Sequence, residues 1–117
     1  MANRTGEAAA RRQVKERAGG RCEIEVSPHC TGRHEQFSHR KRRSQGGRWC
    51  AANGLAACAA CHLAITDTAG RRAEYVWLGW LVNSTETPHM KPVRLGGRMV
   101  LIGPDGSVNE YNEGTEE

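Results

Sequence analysis

The chain has 117 residues with a net charge of +4, and its 14 glycines outnumber its three Trp, two Tyr and one Phe together. That suffices for one small domain, whose thin aromatic packing and costly backbone entropy predict a staple beyond the hydrophobic core. There is no apolar run of signal-peptide type and no stretch of transmembrane length, so the sequence predicts a soluble cytoplasmic chain, a reducing setting in which its five cysteines favour metal over disulfides.

Residues up to Arg4 read as a frayed end. From Glu7 to Ala18, EAAARRQVKERA is rich in helix formers, with Ala10, Val14 and Ala18 at helical spacing. Thr5 is the expected N-cap and Gly19-Gly20 the stop. The exposed face is expected to carry Arg11, Arg12, Lys15 and Arg17, which suit either DNA or plain solvent. From Arg21 to Cys30, alternating Ile24 and Val26 predict a short extended segment closed at Ser27-Pro28. Gly32 to Glu35 reads as loop. His29 and His34 read as surface residues, with His29 a weak substitute metal ligand.

A strand is predicted over Gln36 to Arg40, then a turn or loop through Gly47, with Trp49 as its anchor. Between Arg33 and Arg48 six bases face one acid, Glu35. Such a patch is the electrostatic footprint of a phosphate-backbone partner, the alternative being a solvated loop. Gly46-Gly47 fits a close approach of phosphate and a plain turn equally well. A helix starting between Cys58 and Ala60 should run to about Ile65, with a break over Thr66 to Gly70, and another should run from Arg71 to about Trp77.

Leu78 to Val82 reads as buried, extended and core-forming, and Pro88 and Pro92 bracket a loop. Val93 to Leu95, Arg98 to Ile102 and Ser107 to Tyr111 predict a small antiparallel hairpin structure, with Gly96-Gly97 and Gly103-Pro104-Asp105-Gly106 as its turns. Residues 105 to 117 hold five acids and no base, leaving 17 bases against eight acids elsewhere. The tail from Asn112 reads as acidic and disordered. The whole is one α+β domain over residues 1–111, with a core over 21–66 and an extension over 67–111.

Cys58-x-x-Cys61 at the start of a helix is half of a tetrahedral zinc site. Cys22 and Cys30, seven residues apart, are best placed to supply the other half, which would tie the N-terminal segment to the helix carrying His62. Cys50 is left as a free, partly buried thiol. The bland alternative is that these cysteines are small core residues. A thioredoxin-like redox motif would need a βαβ pattern that is absent.

Several motifs in order carry a family likeness: Cys22 and Cys30, Ser38-His39, the Arg-rich loop with Gly46-Gly47, Asn53-Gly54-Leu55, and Cys58-x-x-Cys61-His62. Together, over Arg21 to Thr66, they resemble the HNH endonucleases of the ββα-metal type, in the zinc-bound form common among bacteriophage proteins. The lead-in Gly19 to Cys22 and the later Gly79 to Val82 extend the resemblance over most of the chain.

The resemblance implies a metal-dependent DNA endonuclease of low sequence specificity, acting in the host cytoplasm and linked to the packaging terminase. In it His39 ends the first strand of a hairpin and serves as general base on a water. His62 corresponds to a ligand of a catalytic divalent cation such as Mg²⁺, Mn²⁺ or Ni²⁺, separate from the structural Zn²⁺. Asn53 either braces the loop behind the base or binds metal. Arg40, Lys41, Arg42, Arg43 and Arg48 are placed to grip phosphates. Two positions depart from the family pattern: Ser38 stands where Asp or His ligates the cation, and Thr66 where some members carry a second His. The competing reading is a zinc-stapled DNA-binding or packaging accessory protein without catalysis.

Overall fold

Helix α1 (Glu7–Ala18) opens the fold in the computed structural model, which describes residues 6–67 and 70–111. Its limits follow from its sequence. Ala-rich turns favour helix, and Gly19, at φ 62°, ends it by donating its N–H to the Lys15 carbonyl. Gly6 stands at the N-cap with no side-chain cap, and the predicted cap Thr5 lies outside the described residues. Ala10 and Val14 are buried.

The segment around Ile24 and Val26 forms no strand. Ile24 is buried and Val26 packs against the core, but the chain bends at Glu23 and again at Ser27. Glu25 there adopts a left-handed φ of 51°, which places its N–H on the Cys22 sulfur. The alternation therefore reflects burial in a loop rather than pairing in a sheet.

Strand β1 (Gln36–His39) pairs antiparallel with β2 (Gly54–Ala57), Ser38 facing Leu55 and His39 facing Gly54. β2 was not legible from propensity, since Gly and Ala are poor strand formers. It forms because all four of its residues are buried, with Leu55 in the core and small residues around it. A Cβ at Gly54 would fall inside the Phe37 ring. Helix α2 (Ala59–Thr66) follows at once, so two strands and a helix succeed one another.

Helix α3 (Arg72–Trp77) leads into the Leu78 to Val82 stretch, which is core-forming but turned rather than extended. Gly79, at φ 81°, lets this turn lie against the Pro92 carbonyl, where any side chain would collide. Strands β3 (Val93–Leu95), β4 (Arg98–Ile102) and β5 (Val108–Glu110) form an antiparallel meander, as the turn glycines predict. The structure is thus α+β, with three α-helices and two antiparallel sheets among the described residues. One core joins its parts: Leu55, Ile65, Tyr75, Trp80, Leu81, Val93, Val100 and Ile102 pack with Cys22, Cys58 and Cys61. The acidic tail expected from Asn112 lies outside the described residues.

Candidate functional site

Four of the five cysteines converge. The sulfurs of Cys22, Cys30, Cys58 and Cys61 all lie within 4.8 Å of one another, and all are free thiols. A tetrahedral zinc with bonds of about 2.3 Å sets its sulfurs about 3.8 Å apart, so the cluster could hold such an ion with little adjustment. Backbone N–H groups of Glu25, Gly32 and Cys61 point at the sulfurs of Cys22, Cys30 and Cys58, at 3.3–3.4 Å. Such donors favour thiolate, the form that binds metal. Burial pushes the Cys58 thiol up, but the backbone groups of Cys61 and Thr31, with the side chains of Cys61 and Cys30, together hold it down at about 6. Burial pushes Cys61 up to about 12. Cys50 and His29 take no part in the cluster.

The cluster fixes the start of α2, and with it His62, whose N–H bonds to the Cys58 carbonyl at 2.9 Å. His62 lines a cleft of about 300 Å³ together with Ser38 and His39 from β1, Arg42 and Arg43 from the basic loop, and Thr66 from α2. Phe37, Ile65 and Leu81 form its apolar floor. Burial holds the His39 ring below its usual 6.5, with Arg43 and Arg11 adding to the effect and Glu7 opposing it. Burial alone does the same to His62. Burial therefore favours the neutral form of both imidazoles, the state in which the ring can accept a proton or ligate a metal.

Asn53 is fully buried and wholly engaged with backbone. Its Oδ1 accepts the Lys41 N–H at 2.7 Å, and its Nδ2 donates to the carbonyls of Lys41 and Arg48 at 3.1 and 3.0 Å. It therefore clamps the two ends of the basic loop together. Of the two roles open to it, the geometry is that of a brace, with both N–H donors spent.

The basic loop divides into an inside and an outside. Arg40, expected to grip phosphate, is completely buried. Its guanidinium donates to the backbone carbonyls of Gly79, Ala52, Pro88 and Lys91 at 2.7–3.0 Å, joining the hairpin to the C-terminal half. Burial lowers its pKa to about 10, so it stays charged at neutral pH, held by carbonyl dipoles. Arg40 is thus corrected from a DNA contact to a structural cross-link. Arg17, expected on the exposed face of α1, is half-buried, with its side chain turned inward. It makes a bidentate pair with Glu23 at 2.6–2.7 Å and reaches the Ala51 and Gly54 carbonyls. Lys41 is half-buried and spends its ammonium on the Glu86 carbonyl at 3.0 Å. Arg42, Arg43 and Arg48 are exposed. Gly47 lies against the Lys41 carbonyl, where a Cβ would collide, which makes Gly46-Gly47 a tight turn of the loop.

The cleft is less well furnished for a divalent cation than the cysteine cluster. Among the described residues its lining offers the His62 imidazole and the hydroxyls of Ser38 and Thr66, but no carboxylate. Ser38 is buried, and Asp67, next to Thr66, is exposed and does not line the cleft. Hard cations such as Mg²⁺ and Mn²⁺ are usually held by at least one carboxylate, so these residues by themselves do not fit a resident ion.

No helix among the described residues is long and apolar enough to cross a membrane. Comparison of the chain with protein-family models, with curated proteins and with solved structures returned no match in any of the three.

Proposed function

We propose that this chain is a DNA endonuclease of the HNH type, built around a structural zinc on Cys22, Cys30, Cys58 and Cys61. The observation that supports this reading is the cleft itself: two imidazoles whose neutral form burial favours share it with two exposed arginines. In the proposed reaction His39 takes a proton from water, the hydroxide oxygen forms a bond to a backbone phosphorus, and the bond to the 3′-oxygen breaks. The 3′-oxygen takes up a proton from solvent water, leaving 3′-hydroxyl and 5′-phosphate ends. Arg42 and Arg43 hold the phosphate and offset its charge. Arg48 contacts the backbone further along, and Asn53 keeps the loop that carries these residues in shape.

A divalent cation, when bound, supplies charge stabilisation at the phosphate. Of the residues lining the cleft, His62 would be its strongest donor. The proposed partner is DNA, and a role beside phage packaging proteins follows from the sequence resemblance alone.

A second reading has an observation in its favour. Among the described residues the cleft carries no carboxylate, as in a zinc-stapled DNA-binding module that has no need of one. Plasmid nicking with Mg²⁺, Mn²⁺ or Ni²⁺ separates the two, comparing wild type with His39→Ala. The endonuclease reading expects nicking by wild type and at least about a 100-fold loss in the variant, the usual scale of a lost general base. DNA binding without cleavage under every metal would favour the module, and equal rates in both proteins would remove His39 as the base.

A further inference from the structure

Two polar atoms beside the cleft are left unexplained by this scheme. Nε2 of His39 and Nε1 of Trp49 are both buried, and neither has a hydrogen-bond partner among the described residues. Buried polar groups are rarely orphaned without a reason. Both belong to one aromatic cluster. The His39 ring meets Trp49 at 4.5 Å between centroids and 76° between planes, and meets Phe37 at 5.0 Å and 63°. Phe37 and Trp49 are themselves 4.8 Å apart.

Helix α1 closes this cluster from outside. The Arg11 guanidinium lies over the Trp49 ring at 4.8 Å and within 5.8 Å of the Phe37 centroid, and its Nε donates to Glu7 Oε2 at 2.8 Å. The helix start is also in near contact with the Trp49 backbone, since a Cβ on Gly6 would stand 3.0 Å from the Trp49 carbonyl oxygen.

A neutral imidazole has one N–H and one lone-pair nitrogen. An aromatic face is electron-rich, so it attracts an N–H edge and repels a lone pair. A nitrogen sealed among aromatic rings is therefore better protonated than bare. We infer that Trp49, braced by Arg11, is the positioning residue of His39: it holds the proton on Nε2 and leaves Nδ1 as the nitrogen that accepts from water in the cleft. The kinetic half of this inference rests on His39 being the general base, whereas the tautomer does not. Helix α1 thereby becomes part of the reaction centre without touching substrate.

The test pairs a measurement independent of activity with one that depends on it. Long-range ¹H–¹⁵N correlation spectra of the zinc-loaded protein at pH 8 read the His39 tautomer directly. Wild type should show a single form with the proton on Nε2, and Trp49→Leu a mixture. Protonated Nδ1 in wild type would overturn the inference, as would an unchanged tautomer in Trp49→Leu. In cleavage assays Trp49→Leu should lower kcat by about 10- to 100-fold, the scale of a misplaced catalytic group, with KM for DNA within about twofold. Trp49→Phe should restore most of the rate by keeping the ring contact. A loss in KM alone would assign Trp49 to DNA binding and overturn the inference. Should Trp49→Leu fail to fold, Arg11→Met on the exposed helix face loosens the same stack, and an unchanged tautomer and kcat there would remove Arg11 as its brace. If wild type cleaves nothing, the nuclease reading fails and the tautomer spectra still decide whether Trp49 sets His39.

Discussion

Asn53 holds Lys41 by both of its backbone groups, accepting its N–H at 2.7 Å and donating to its carbonyl at 3.1 Å. One buried amide thus sets the path of the loop that brings Arg42 and Arg43 to the cleft. Asn53→Ala would leave two part-buried carbonyls and an N–H without this partner. At about 1–3 kcal/mol for each buried group left unpaired, partly relieved by relaxation, a loss of about 2–4 kcal/mol is expected. Urea denaturation followed by circular dichroism measures it, and a loss below 1 kcal/mol would show that the loop holds its shape without the amide.

Arg40 and its neighbours should separate cleanly by experiment. Arg40→Met removes the donor from four backbone carbonyls and should destabilise the fold by about 3 kcal/mol or more, as when a buried charged group loses its network. Arg42→Gln with Arg43→Gln should leave the unfolding midpoint nearly unchanged. That double variant should instead flatten the dependence of log DNA affinity on log salt by about two, at about 0.9 for each phosphate left without its cation. Binding curves at several salt concentrations check the second half, and an unchanged slope would take both arginines off the phosphates.

Both cleft histidines are held below 6.5, chiefly by burial. As pH falls through 6.5 the unfolded chain takes up protons at these rings that the folded chain refuses until lower pH. The stability they contribute is therefore complete above pH 6.5 and is lost as the solution becomes more acidic. For the same reason the acid limb of a cleavage profile should fall below pH 6.5. A limb centred above that value would exclude His39 as the proton acceptor.

The cysteine cluster predicts one zinc per chain by metal analysis. Binding by four thiolates is worth about 10–16 kcal/mol in small zinc domains, comparable to or larger than the whole stability of an ordinary domain at about 5–15 kcal/mol. Strong chelation or Cys58→Ser should therefore unfold the protein, whereas Cys50→Ser should keep both the metal and the fold. A folded wild type free of metal would refute the staple.

Glu25 is the one described residue other than glycine with positive φ, at 51°. A left-handed conformation costs a residue with a Cβ about 1–2 kcal/mol, and glycine escapes most of that at some entropic expense. Glu25→Gly keeps the N–H that faces the Cys22 sulfur and should raise stability by about 0.5–1 kcal/mol. Thermal unfolding of the zinc-loaded forms provides the comparison, with no gain expected if the Glu25 side chain contributes a compensating contact.

Local chemistry alone determined a good share of this protein. Helix α1 ends where Gly19 ends it, the strands over Val93–Leu95 and Arg98–Ile102 are set by their glycine turns, and the spacing of Cys58 and Cys61 at a helix start makes a half-site wherever the chain goes. Such features depend on a few adjacent residues, so a linear reading reaches them. The tertiary structure decided what depends on distant partners. It turned Arg40 inward and left Arg42 and Arg43 outside, although the three stand within four consecutive residues of like charge. It made a strand of Gly54–Ala57, buried a salt bridge between Arg17 and Glu23, and set Trp49 between Arg11 and His39. Those outcomes turn on which carbonyls, rings and charges meet across the fold, and no run of sequence carries that information by itself.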